Sequence, residues 1–284
     1  MPETIEFIKM QAAGNDFVLL DAIDGMRRNW PALARRLCAP HFGIGADGLL
    51  VLQQARKQAA GAQFRMRMFN PDGSEDMCGN GLLCVAAYLR NNGYVRSPAF
   101  LVETLSGVNQ VMVKVEAGVK IKTVSVSLGP PKLRGKEIPV AIDDEQVIDY
   151  PLEIAGRTVR VSALSTGTPH AVVFSPQEGD FEELAPLLMA HPFFPKQTSV
   201  NFVSVEAPTR IVARVWERGG VGESLSCGTG AAAILAAAHL KGLAPREADV
   251  IYPGGALHVR WDCNENLWIS GPVQYVFNGC MTEK

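Results

Sequence analysis

Two segments half a chain apart read as copies of one another. Arg65–Leu89 runs RMRMFNPDGSEDMCGNGLLCVAAYL, and Val212–Leu240 runs VARVWERGGVGESLSCGTGAAAILAAAHL. Each is an alternating strand, a Gly-containing loop, Cys-Gly-x-Gly and an apolar run. Phe69 aligns with Trp216 and Gly73 with Gly220, both 147 residues on, and Cys78 aligns with Cys227, 149 on, so the second loop carries two extra residues. An upstream pair keeps nearly the same spacing. FIKMQAAGNDFVLLD (Phe7–Asp21) matches RVSALSTGTPHAVVF (Arg160–Phe174), with Gly14 opposite Gly167. Self-similarity at a fixed period points to a duplicated unit. At about 150 residues per domain, a chain of 284 residues has room for two.

The repeated helices narrow the architecture. GLLCVAAYL and GAAAILAAAHL are apolar on every face, and such a helix is buried on all sides. Ala231–Leu240, the longest apolar stretch and broken by His239, falls short of the roughly 20 residues a membrane span needs. Periodicity places a helix at 79–91 and strands near 5–10, 17–21, 48–53, 63–69, 100–104, 109–115 and 120–128. The second half has a helix at 228–241 and strands near 157–164, 170–174, 200–205, 209–217, 248–252, 256–262 and 266–270. Side helices fall near 29–38 and 180–190. The expected class is α+β, with two pseudo-symmetric domains. Each is a β-barrel-like curved sheet wrapped around a central apolar helix, and the active site is expected in the interdomain cleft. The expected boundaries are 1–130, joined by 273–284, and 131–272. The Gly/Pro-rich stretch Leu128–Pro139 marks the crossing.

Charge and cysteine usage exclude several classes. Lys plus Arg (27) nearly balances Asp plus Glu (29), so no basic surplus draws nucleic acid or an acidic membrane. Met1–Met10 has no apolar core of a secretory signal, and a cytoplasmic setting is expected. Six cysteines (38, 78, 84, 227, 263 and 280) include no CxxC pair, which argues against a thiol redox protein, and no zinc spacing is present. Most cytosolic thiols are small buried hydrophobes.

Cys78 and Cys227 differ from the other four. Each precedes a helix and is followed by Gly, which lets a ligand approach the backbone. The unpaired N–H groups of a first helical turn stabilise an anion, whether a thiolate or a bound carboxylate. Two such thiols facing one ligand suit removal of a proton from one face of a carbon and its return to the other. One must be thiolate and the other thiol, and no cofactor or metal is needed. No lysine lies in a recognisable pyridoxal motif, so the chemistry must rest on desolvation, aligned dipoles and paired bases.

These segments carry a family resemblance. GNDF (Gly14–Phe17), GIGADG (Gly43–Gly48), FNPDGSEDMCGNG (Phe69–Gly81), PHAVVF (Pro169–Phe174), VNFV (Val200–Val203), WERGGVGESLSCGTGAA (Trp216–Ala232) and PGG (Pro253–Gly255) occur in family order over nearly the whole chain. The chain resembles the diaminopimelate epimerases, pyridoxal-independent amino-acid racemases. The resemblance implies interconversion of L,L- and meso-diaminopimelate, a step towards lysine and cell wall. It also implies a homodimer that acts on a small-molecule amino-acid substrate. Cys78 and Cys227 match the catalytic cysteines, and His170 and Glu217 match side chains that assist them. Gly79, Asn80, Gly228 and Thr229 match the amides that hold the reacting carboxylate. Asn15, Asn70, Asn201, Glu217 and Arg218 match substrate-binding residues. An Arg pairs with a carboxylate and a Glu with an ammonium.

Three positions depart from common family patterns. Thr168 stands where Asn is usual before Pro-His and would meet the substrate's distal group, Leu83 stands where Arg is common, and Gly48 stands where some members have Gln. The alternatives are a same-fold racemase acting on another amino acid and a non-catalytic binding protein; both cysteines argue against the second.

Overall fold

A computed structural model describes residues 4–56, 61–115, 121–219 and 222–282. Gly220, one of the aligned repeat positions, lies outside them. The chain divides into two compact units, Met1–Val126 with Gly271–Lys284, and Ser127–Ser270.

The elements of the first stretch are β1 (Thr4–Ala12), β2 (Asn15–Asp21), α1 (Trp30–Leu37), β3 (Gly48–Gln54), β4 (Phe64–Phe69), β5 (Glu75–Asp76), α2 (Gly79–Asn91), β6 (Ala99–Thr104), β7 (Gly107–Val115) and β8 (Ile121–Gly129). A short 3-10 turn, Gly135–Glu137, leads into the second set. That set is β9 (Val147–Ile154), β10 (Arg157–Ser165), β11 (Pro169–Phe174), α3 (Asp180–Met189), β12 (Ser199–Ala207), β13 (Arg210–Glu217), β14 (Gly222–Ser224), α4 (Gly228–Leu240), β15 (Glu247–Tyr252), β16 (Gly255–Trp261) and β17 (Leu267–Gly271). A last strand, β18 (Val273–Thr282), returns to the first unit and pairs antiparallel with β1.

In the first unit the strands pair in the order β18-β1-β2-β3-β4-β6-β7-β8. In the second they pair as β9-β10-β11-β12-β13-β15-β16-β17. The two orders correspond strand for strand. Even the parallel pairs recur: β2–β3 matches β11–β12, and β4–β6 matches β13–β15. Among the described residues no pairing joins β18 to β8 or β9 to β17, so each sheet is open rather than a closed barrel.

The central helices are buried as their composition requires. In α2 every residue from Gly79 to Leu89 is buried, and the helix packs on β1, β2, β3, β4, β7 and β18. In α4 every residue from Gly228 to Ala238 is buried, and the helix packs on β10, β11, β12, β15 and β16. Alanine dominates α4 because it is the strongest helix former and the smallest side chain such a surrounded helix can carry. α1 and α3 cover the other faces. Leu33, Ala34 and Leu37 of α1 join a core with Val18, Leu20, Leu49 and Val51. Phe181, Leu184 and Leu188 of α3 join one with Val173, Val200 and Phe202.

One local arrangement sets the site in both units. The edge of β4 pairs first with β6 at Phe64 and Arg65, then with β5 at Met68 and Phe69. β13 likewise pairs with β15 at Arg210–Val212 and with β14 at Val215–Glu217. The short strand pins the loop that leads into the central helix. A bidentate ion pair braces each: Arg67 to Glu75 at 2.8 and 2.6 Å, and Arg214 to Glu223 at 2.8 and 2.9 Å.

Candidate active site

Each short strand delivers a cysteine to the start of a helix. Cys78 and Cys227 are the N-cap residues of α2 and α4, with φ and ψ of −135° and 119°, and of −142° and 117°. Extended backbone at the cap points the side chain back over the first turn. Sγ of Cys78 accepts from the Gly81 N–H at 3.4 Å, and Sγ of Cys227 from the Gly230 N–H at 3.3 Å. The duplication therefore extends to the sulfur's hydrogen bond.

The other thiols are different. Burial pushes Cys38 up to about 12 and raises Cys84 strongly, so both stay protonated. Cys263 and Cys280 are exposed, so the buried-hydrophobe expectation holds for only two of the four.

In the second unit a continuous polar network backs Cys227. Its Sγ lies 3.4 Å from the Thr229 hydroxyl. That hydroxyl lies 3.0 Å from His170 Nε2 and 3.3 Å from the Thr168 hydroxyl, and Thr168 Oγ1 is itself 3.0 Å from Nε2. Asn201 Nδ2 lies 3.3 Å from His170 Nδ1 and donates to the Ala171 carbonyl at 3.2 Å. Thr166 Oγ1 donates to the Thr229 carbonyl at 2.8 Å. Thr168, His170, Asn201 and Thr229 are all buried. Glu217 accepts from Ser199 Oγ at 2.6 Å, and the Arg218 N–H donates to the same hydroxyl at 3.3 Å. Gly228 opens α4.

His170 is fully buried, and burial first, then the positive charge of Arg218, lowers its pKa to about 3. It is a neutral imidazole at neutral pH, so its ring nitrogens hydrogen-bond as one donor and one acceptor. The consequence for stability is directional. An unfolded His titrates near 6.5. As pH falls from about 6.5 towards about 3, the unfolded chain takes up a proton that the folded one refuses. The stability that a neutral His170 contributes is complete above 6.5 and is lost across that window, with a slope of up to about 1.4 kcal/mol per pH unit. A His170→Gln variant loses this share of the slope in urea unfolding measured between pH 7 and pH 4. An unchanged slope shows that His170 is not held neutral.

In the first unit Cys78 is half-buried, and its Sγ donates to Asn15 Oδ1 at 3.7 Å. Asn15 Nδ2 donates to Asp47 Oδ2 at 2.7 Å, and the same oxygen accepts from the Asp16 N–H at 3.1 Å. Lys9 pairs with Asp16 and also donates to the Gly45 carbonyl. Burial and Asp16 raise the Asp47 carboxyl, while hydrogen bonds from Asp16 and Asn15, together with Lys9, oppose the rise. Asn70 lies apart from this chain. Its Nδ2 donates to Ser74 Oγ at 3.0 Å, and its backbone closes the 70–74 turn. Gly79 and Asn80 are buried in the first turn of α2.

The three departures have structural counterparts. Thr168 is drawn into the His170 and Thr229 network. Leu83 is fully buried in α2. A Cβ at Gly48 would come within 2.8 Å of Met68 Cε, so a larger residue needs that side chain to move.

Sequence reasoning missed Asp47 and Tyr252. Asp47 lies inside GIGADG, a segment that carries the resemblance without assigning its carboxylate a role. Tyr252 precedes PGG and is buried, and burial, Cys227 and Glu217 all raise its pKa well above the usual phenol range. Among the described residues its hydroxyl and Asn201 Oδ1 are buried without a hydrogen-bond partner, and both face the space where Gly230 lacks a Cβ.

Comparison with known proteins adds the following. A sequence model of the family described as "Diaminopimelate epimerase" matches residues 7–133 and 162–276. A protein of that name from Synechococcus sp. (strain JA-2-3B'a(2-13)) is 44% identical over 293 residues, covering 98% of this chain and 99% of its own. Another, from Desulfitobacterium hafniense (strain DSM 10664 / DCB-2), is 39% identical over 285 residues, with 98% and 99% covered. The fold is shared with a hydroxyproline epimerase from Agrobacterium vitis, at TM-score 0.76, 16% identity, and 99% and 94% coverage. It is also shared with a Bacillus anthracis phenazine biosynthesis protein of the PhzF family, at TM-score 0.68, 16% identity, and 99% and 100% coverage.

Proposed function

Because this chain belongs to the diaminopimelate epimerase family and is an isomerase acting on a small amino acid, we propose that Cys78 and Cys227 are the acid and base that invert Cα. The reaction interconverts L,L- and meso-diaminopimelate. Inversion requires a base on one face of the carbon and an acid on the other, and each unit supplies one thiol. A thiolate takes the α-proton and becomes a thiol. The resulting carbanion takes a proton from the second thiol, which becomes the thiolate. No bond other than S–H and C–H is made or broken. The observation that supports this reading is the recurrence of one N-capped cysteine, with one N–H···S contact, at the start of both buried helices.

The remaining roles follow from chemistry. The first-turn amides of Gly79 and Asn80, and of Gly228 and Thr229, suit the reacting carboxylate. Asn15, Asn70, Thr168, Asn201, Glu217 and Arg218 are assigned to substrate binding, with Glu217 meeting an ammonium and Arg218 a carboxylate. His170 and Glu217 support Cys227. The reading extends to a cytoplasmic homodimer. Among the described residues no helix is long and apolar enough to cross a membrane, and Tyr275, Val276 and Phe277 on β18 are exposed apolar residues that a second copy could cover.

The test is isotopic. In D₂O, without added pyridoxal phosphate, L,L-diaminopimelate yields meso product carrying deuterium at the inverted centre. Substrate recovered early stays unlabelled, because its proton remains on the thiol that removed it. Equal early labelling of substrate and product would mean that a single base serves both faces.

A further inference from the structure

The stretch Gly25–Ala46 carries four arginines, Arg27, Arg28, Arg35 and Arg36, and no Asp or Glu. α1 lies inside it, with no acidic residue in its first turn and with Arg35 and Arg36 in its last. Asn29, the N-cap, is followed by Ala32, Leu33 and Arg36, at helical spacings that put all four on one face. Together with Arg28 they line a cavity of about 180 Å³ in the first unit. No carboxylate is among those lining residues.

The two arginines at the end of α1 are used differently. Arg35 Nη1 donates to the Asp72 carbonyl at 2.9 Å. Arg36 is half-buried, and its Nε and Nη2 are buried, yet among the described residues neither meets an acceptor. These two nitrogens form one edge of the guanidinium plane. Their parallel N–H groups match two oxygens of a carboxylate or phosphate. The charge cannot be shed, because an arginine stays protonated at any ordinary pH. A buried charged donor without an acceptor carries its full desolvation cost, and in a native protein such a group signals an ion or a water.

The cavity's other polar groups favour an anion over water. Arg28 brings a second positive charge, although it also makes an interaction of its own. Asn29 Oδ1 already accepts the Ala32 N–H at 3.2 Å, so its amide group adds a donor to the lining rather than an acceptor. Water would accept from Arg36 but leave two guanidinium charges on one small cavity uncompensated. The volume is below the roughly 300–1,000 Å³ of sites for drug-sized ligands, so the occupant is small.

We propose that this cavity is an oxyanion site, in which Arg36 holds two oxygens of a small phosphate- or carboxylate-type anion along its Nε–Nη2 edge and Arg28 supplies the second charge. A doubly charged phosphate suits two arginines better than a singly charged carboxylate, so phosphate binds the more tightly. α1 contributes no residue to the epimerisation assigned above, and the site stands or falls independently of it.

The test measures binding to the full chain, with inorganic phosphate and acetate as probes and ionic strength held constant with sodium chloride. Phosphate raises the thermal midpoint along a saturating curve, and its phosphorus resonance broadens when protein is added. Acetate gives the same kind of curve at higher concentration. Arg36→Gln weakens phosphate binding by about tenfold or more, the value of a charge-assisted pair. Arg36→Lys, which keeps the charge but not the fork, falls between the two. Arg28→Gln also weakens binding, and Arg27→Gln, at a residue outside the cavity lining, leaves it nearly unchanged. Circular dichroism checks each fold, and if Arg36→Gln does not fold, Arg36→Lys and Arg28→Gln decide in its place. Equal phosphate affinity in the wild type and in these variants means that phosphate binds elsewhere. No saturable response to either anion means that water fills the cavity. Either result overturns the proposal, and acetate bound more tightly than phosphate overturns the preference for a doubly charged ligand.

Discussion

Replacing either Cys78 or Cys227 by Ser lowers kcat for epimerisation by about 10²–10⁴-fold, the usual contribution of one general acid or base. Serine is the sharper substitution because it separates chemistry from architecture. Both cysteines cap their helices by accepting an N–H, from Gly81 and from Gly230, and serine is among the preferred N-cap residues. The helix start survives, while a hydroxyl near neutral pH is neither a useful base nor a comparable acid. Alanine removes the cap as well, at about 1 kcal/mol, so Ser and Ala variants of similar activity and different thermal midpoints would divide the two roles. Steady-state rates with L,L- and with meso-diaminopimelate, alongside circular dichroism, make the check. Wild-type turnover in either Ser variant would remove that cysteine from the reaction.

Gly230→Ala lowers kcat by about 10²-fold, the loss that goes with misplacing a reacting group by about 1 Å, and destabilises the chain by about 1–3 kcal/mol through overpacking. A Cβ there would lie 2.6 Å from Asn201 Oδ1, 3.1 Å from Tyr252 Oη and 3.1 Å from Cys227 Cβ. None of the three yields easily. Asn201 is tied to Ala171, Tyr252 is buried in the sheet, and moving Cys227 moves the sulfur itself. The equivalent glycine in the first unit is a built-in control. A Cβ at Gly81 would meet Leu50 Cδ2 at 2.8 Å but would stand 3.5 Å from Cys78 Cβ. A leucine methyl group can rotate away, so Gly81→Ala costs stability and spares more of kcat. Equal kcat losses in the two variants would mean that the Gly230 contact with Asn201 has no special bearing on the reaction.

The repeat and its helices were legible in the sequence because they rest on local signals. Residues 81–89 are apolar on every face, follow a cysteine and a glycine at 78 and 79, and lie within the helix Gly79–Asn91. β9 (Val147–Ile154) was not expected. Its alternation is weak and Pro151 sits inside it, which usually argues against a strand. The structure accommodates Pro151 because, among the described residues, β9 pairs only with β10 and is an edge. Asp47 was hidden for a different reason. Its contact with Asn15 arises from the parallel pairing of β2 and β3, which sets Phe17 opposite Gly48. No spacing in a single sequence reports that register. The same holds for the network behind Cys227, whose members come from β11, β12 and the start of α4. Resemblance named most of those residues, but only the fold shows which of their side chains meet.

The return of β18 to β1 has a consequence for the order in which the protein is made. The second unit is one continuous run, Ser127–Ser270, whereas the first is Met1–Val126 and Gly271–Lys284. Domains fold as their residues emerge during synthesis. The later unit can therefore complete its sheet while the earlier one still waits for its last strand. Until Val273–Thr282 emerges, the outer edge of β1 carries unpaired backbone groups, the kind of edge on which chains pair wrongly with one another. The closing contact joins Thr4 to Thr282, among the longest loops this chain can form, and long loops close late. The half of the protein translated first is thus the half finished last, and Cys78 sits on a helix that packs against that final strand.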